Sequence, residues 1–234
     1  MRASVEAREV LAALTEAAFT EVYTWRTLLQ GRPHNQDEIQ EMESQARRIL
    51  TFQSSMVPGL LQTAEYARRV LTLFQPPYDE SDIPAAVAGR LDRQLALYEE
   101  NRGFEFLITE AALRWRPGPP RLLRAQLDRL ASISTLSNIS MGLIPHAVEA
   151  VVSITHPFVL FEETGEEGHA PSTDDAGDAI VTVEAIHGPL TLQDQESVSL
   201  YRTQWSLLRR MAVFGDDARR LLAGIADEFG EIGS

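Results

Sequence analysis

No cysteine occurs in the 234 residues. Disulfides, thiolate metal ligands and cysteine nucleophiles are thereby excluded together, and a reducing cytoplasm is the setting this favours. Lysine is absent as well: all 21 basic residues are arginine, which reads as the codon bias of a GC-rich genome. No apolar run approaches the ~18 residues that cross a bilayer, and Met1-Arg2-Ala3-Ser4-Val5-Glu6 has no signal-peptide core, so the chain is expected to be soluble and away from membranes. The histidines His34, His146, His156, His169 and His187 show no ligand-spaced pair and no H-E-x-x-H pattern, and Asp174, Asp175 and Asp178 lack the alternation of a calcium loop. With no G-x-S-x-G elbow and no glycine-rich phosphate loop, the sequence offers no metal, cofactor or catalytic set.

What is present describes a folding chain. The residues are 44% hydrophobic and 24% charged, near the average of soluble proteins. At this length roughly 70% of the unfolded surface can be buried. The net charge of -13 repels phosphate backbones, so direct nucleic-acid binding is not expected.

Apolar spacing of three and four predicts helices over 6–30 and about 37–52, the second carrying Ile39, Met42, Ala46 and Ile49 on one face. Pro58-Gly59 breaks the pattern. Thr63 can cap a helix over about 64–74, and another is expected over about 84–101, with Arg90, Arg93 and Gln94 on adjacent turns. After Gly103 the period drops to two, predicting a strand from Phe104 to Glu110. The prolines at 117, 119 and 120 open a helix over 121–134. Strands are expected at 139–144, 150–154, 158–162 and 179–184, those around Thr155-His156-Pro157 forming a hairpin. A polar loop over 164–178 and helices from about Asp194 and over 216–229 complete an α+β order: a helical N-terminal half, a small mixed sheet with a crossing helix, and a helical C-terminus. Residues 1–52 read as linker helices and 53–234 as one effector unit.

The stretch Val57-Pro58-Gly59-Leu60-Leu61-Gln62-Thr63-Ala64-Glu65-Tyr66-Ala67-Arg68 resembles the hallmark of an actinobacterial domain of unknown function, family 5753. Such domains follow a Cro/CI (XRE)-type helix-turn-helix head in antitoxin-like transcriptional regulators. Tyr23-Thr24-Trp25-Arg26, the segment around Glu41, Glu43 and Arg48, Arg90-Leu91-Asp92-Arg93-Gln94, and Phe106 through Arg114 are similar to its later pieces in order. Ile139 to Pro145, Pro157 to Leu160 and Val183-Glu184 extend the likeness to about residues 20–225. The resemblance implies a regulatory domain binding a small metabolite or a small toxin-like protein, with the DNA-binding head missing here and a homodimer allowed.

The residues that would form its ligand site are Pro58, Gly59, Gln62, Thr63, Tyr66, Arg90, Arg93, Gln94, Glu110 and Arg114. The proline-glycine turn before a helix offers backbone N–H groups to an acidic ligand. Arg90, Arg93 and Gln94 are placed to meet Glu110, either as an internal bridge or as a shared grip on a ligand carboxylate or phosphate. Arg114, Arg116, Arg121, Arg124 and Arg129 give a local positive surplus, either a solvated face or a docking patch for an acidic partner. The alternative is a stand-alone family member recruited as a small-molecule enzyme, with Glu110, His146, His156 and Tyr66 as acid–base candidates.

Overall fold

A six-stranded mixed sheet organises the chain, seen in a computed structural model that describes residues 46–75, 77–162, 179–185 and 188–231. β1 (Arg48–Gln53), β2 (Gly103–Thr109) and β3 (Ile139–Ile144) run parallel. β4 (Phe158–Glu162) returns antiparallel to β1, and β5 (Ala179–Ala185) and β6 (Gly188–Leu192) continue the antiparallel half. The spatial order is β3-β2-β1-β4-β5-β6, with Ile49 opposite Phe104 and Phe52 opposite Phe158. The fold is α+β.

Two crossovers build the parallel half. A 3-10 turn (Gly59–Leu61), α1 (Ala64–Leu71), α2 (Ile83–Arg93) and a second 3-10 turn (Gln94–Tyr98) link β1 to β2; α3 (Glu110–Arg114) and α4 (Pro120–Ile133) link β2 to β3. Both connections step the same way across the sheet, so the right-handed crossover rule puts their helices on one face. There Ile49, Phe104, Phe106, Ile108 and Met141 pack with Leu61, Tyr66 and Val70, with Leu123, Leu127 and Leu130 of α4, and with Leu222 and Ile225 of α6 (Gly215–Glu231). On the other face Leu50, Phe52, Leu107, Phe158 and Leu160 bury Val198, Trp205 and Leu208 of α5 (Gln195–Arg210).

Local chemistry sets several boundaries as expected. The Thr63 hydroxyl accepts the Tyr66 N–H at 3.2 Å, Asp194 caps Ser197 at 2.9 Å, and Pro120 occupies the first turn of α4.

Other expectations are corrected. Residues 48–53 form the central strand β1, not the end of a helix: Ile49 enters one core and Leu50 and Phe52 the other. A strand buried on both faces loses the period-two signature, and periodicity alone cannot tell it from buried helix. No strand or hairpin forms over 150–157, because β4 pairs with β1 and β5 while Val151 and Ile154 stay exposed. α1 stops at Leu71, and the helix expected to reach 101 tightens into a 3-10 turn after Arg93. β6 forms over Gly188–Leu192, where no strand is expected from the sequence. Glu110 opens α3 instead of closing β2, because Thr109 caps Ala112. The helix over 6–30, residues 37–45 of the next, the loop over 164–178, and His34, His169 and His187 lie outside the described residues.

Candidate functional site

In open sheets with parallel strands, ligands sit outside the carboxyl ends of the strands, beside the place where strand order turns back. Here that place is the end of β1, between β2 and β4. The segment from Gln53 to Gln62 leaves from it, Thr109 ends β2 and Glu110 follows it, Pro145 and His146 follow β3, and Glu184 lies near the end of β5. The Thr109 hydroxyl donates to the Ser54 carbonyl at 3.0 Å, joining the first two.

Three buried glutamines lace the segment that follows β1. Gln62 donates its amide nitrogen to the Val57 carbonyl at 2.8 Å. Gln94, on the far side of α2, donates to the Gln62 carbonyl at 2.7 Å. Gln126 of α4 donates to the Leu61 carbonyl at 2.8 Å and accepts the Thr63 N–H at 2.7 Å. Because each nitrogen faces a carbonyl, the orientation of each amide is fixed and each oxygen is left for a donor. The Gln62 oxygen accepts from Arg90 Nη1 at 2.7 Å, and the Gln94 oxygen from Arg129 Nη2 at 3.3 Å. The Pro58 and Gly59 carbonyls accept the Leu61 and Gln62 N–H groups, so the turn's amides are mostly spent inside the fold.

Arg90 lies along this turn, where a Cβ on Gly59 would stand 3.8 Å from its Nε. Its Nε is buried without a hydrogen-bond partner. Burial lowers its pKa and neighbouring Arg93 adds to that, against weaker attraction from Glu184 and Tyr78. Among the described residues no carboxylate stands within ion-pair distance of it, whereas Arg48, Arg114 and Arg202 each reach one at 3.1 Å or less.

Two further unpartnered atoms border the same segment. The Gln53 side-chain oxygen is buried at the end of β1 without a partner. Tyr66 is wholly buried, edge-on to Trp115 with ring centroids 6.4 Å apart. Its hydroxyl completes no hydrogen bond; burial pushes its pKa up to about 12, opposed by the nearby Val57 backbone.

Glu110 belongs to a separate cluster. Its carboxylate accepts from Arg114 Nε at 2.6 Å and from the His146 backbone N–H at 2.8 Å, while His146 Nδ1 stands 3.8 Å away. Burial alone would raise its pKa, but the His146 N–H and the Arg114 guanidinium outweigh it and the net shift is downward. Arg114 also holds Glu228 at 2.5 and 3.0 Å, tying α3 to α6.

The structure therefore brings Pro58, Gly59, Gln62, Thr63, Arg90 and Gln94 together, with Tyr66 behind them and Arg93 one turn from Arg90. It separates them from Glu110 and Arg114. The expected meeting of the Arg90 row with Glu110 does not form, because Arg114, four residues on in α3, takes that carboxylate first. Of the acid–base candidates, only Glu110 and His146 share a site; His156 instead bonds the Tyr201 hydroxyl at 2.7 Å. The arginine surplus is partly consumed internally, since Arg116 sits over the Phe229 ring and Arg129 serves Gln94 and Tyr98. Among the described residues no three His, Asp or Glu side chains group as a metal site.

Sequence reasoning missed Gln126, though a glutamine between Leu123 and Leu127 on a core-facing stripe was a legible sign of a buried polar brace. It also missed the network under α5. There Arg48 bridges Glu105 and Glu162, Arg202 donates to Glu162 at 3.0 Å, and Arg209 stands 3.7 Å from Glu105.

A family model described as Domain of unknown function (DUF5753) matches residues 36–224, which includes every element of the site. No curated protein matches the chain.

Proposed function

The chain belongs to the DUF5753 family, and on that footing we propose that it is a recognition domain whose ligand or partner engages the segment between β1 and α1. One observation carries this reading. Three of the four buried unpartnered side-chain atoms among the described residues, on Gln53, Tyr66 and Arg90, border that one segment. Native folds leave few such atoms, and a cluster of them marks a place completed by something else. The glutamine lacing supports the same reading, since a rigid turn keeps the entropic cost of binding low.

The biological role that fits is regulation: an antitoxin-like transcriptional regulator of actinobacterial type, in which this domain senses a small metabolite or a small toxin-like protein. DNA contact belongs to a Cro/CI-type head, since the net charge of -13 suits this chain poorly to a phosphate backbone.

Thermal denaturation of the protein against a metabolite library and against the candidate partner tests the reading. A ligand at 100 times its Kd adds about 2.7 kcal/mol of stability. The expected hit raises the melting temperature of the parent and not of Gln62→Glu, which alters the centre of the turn. Hits indifferent to changes in the 53–66 segment and α2, or no hits at all, would reject it.

A further inference from the structure

We propose that Arg90 is the anion-binding element of this site and that the ligand carries an oxyanion, a carboxylate or a phosphate. This rests on the recognition reading above and adds the charge and chemical class of what is recognised. A guanidinium has five N–H donors arranged in a planar fork. Among the described residues Arg90 uses one, from Nη1 to the Gln62 oxygen.

The edge formed by Nε and Nη2 is the one that grips a carboxylate or phosphate with two parallel hydrogen bonds. Among the described residues no group takes that edge at Arg90, and its Nε is buried without a partner. Among the described residues the charge is also uncompensated. Glu184 attracts Arg90 only from beyond ion-pair distance, and the neighbouring Arg93 opposes a second positive charge. Among the described residues the group bonded to this guanidinium, the Gln62 amide, is neutral, so an incoming anion supplies what they do not.

The alternative is that Arg90 only braces the turn against Gly59. A brace needs the Nη1 bond and the packing, both present. It gives no reason to bury a charge with its bidentate edge idle, where a neutral side chain would pack without the desolvation cost.

The Nε–H resonance of Arg90, assigned by its loss in Arg90→Gln, reads the site directly. Sodium acetate and inorganic phosphate are titrated into the full chain at constant ionic strength against sodium chloride, with acetamide as the neutral counterpart. The expected result is a saturable shift with acetate or phosphate and none with acetamide; whichever oxyanion saturates at the lower concentration identifies the headgroup. Arg90→Lys, which keeps the charge and loses the fork, is expected to weaken by at least tenfold the binding of any library hit.

An Arg90 resonance moved no further by either oxyanion than by chloride overturns the proposal. If neutral library compounds still bind at the turn in that case, the recognition reading stands and only the anion assignment falls. If nothing binds, both fall.

Discussion

The Gln126 side chain accepts the Thr63 backbone N–H at 2.7 Å, so a residue of the second crossover fixes the start of the first helix of the first crossover. The same amide donates to the Leu61 carbonyl, and the side chain is wholly buried. Position 126 thus governs the geometry of the turn that the proposed ligand reads.

Replacing Gln126 with Ala or Met is expected to cost about 2–5 kcal/mol, because either leaves a buried N–H and a buried carbonyl unpaired. Urea denaturation at neutral pH measures this. Methionine fills most of the lost volume, so a Met variant as stable as the parent would show that the hydrogen bonds contribute nothing.

Gly142→Ala tests the packing at the sheet edge. A Cβ there would stand 2.6 Å from Leu107 Cδ2 and from the Phe214 ring. The variant is expected to lose about 1–3 kcal/mol, the usual cost of overpacking, with its midpoint lowered and its denaturant slope unchanged.

Glu110 gives an acid-dependent contribution. Its folded pKa lies below the ordinary value of 4.5, since the His146 N–H and Arg114 together outweigh burial. The unfolded state therefore takes up the proton first as pH falls. The stabilisation is full above about pH 4.5 and disappears as pH falls through the folded pKa. Glu110→Gln is expected to be less stable than the parent at pH 7, with a shallower loss towards pH 3; parallel curves would contradict this.

Tyr66 acts at the other end of the scale. Burial raises its phenol from 10.0 to about 12, so the unfolded state loses its proton first on raising the pH. The stability tied to the neutral phenol is full below pH 10.0 and is lost as pH rises through about 12. Absorbance titration of the parent minus Tyr66→Phe is expected to isolate one tyrosine ionising near the top of that range. Because the hydroxyl completes no hydrogen bond, the phenylalanine variant is expected to match the parent within about 1 kcal/mol at pH 7.

The capping of α1 by Thr63, the proline start of α4 and the Asp194 cap of α5 were legible because each depends on atoms within a few residues. The resemblance likewise picked out the turn at 57–66 and the Arg90 to Gln94 row, the two pieces that meet. The identity of β1 was hidden: Arg48 to Gln53 is apolar on both faces only because helices cover both sides of the sheet. The spacing offers Glu110 to the row of Arg90, Arg93 and Gln94, whereas the partner it takes, Arg114, stands one helical turn away.

Sequence alone thus determined the family, the α+β class and most helix starts, since hydrophobic period and capping act over a single turn. Only the tertiary structure decided that Gln62, Arg90, Gln94 and Gln126 converge while Glu110 stands apart. That outcome depends on which face each crossover covers and which donors arrive there, a property of chain path that no spacing of three or four residues encodes.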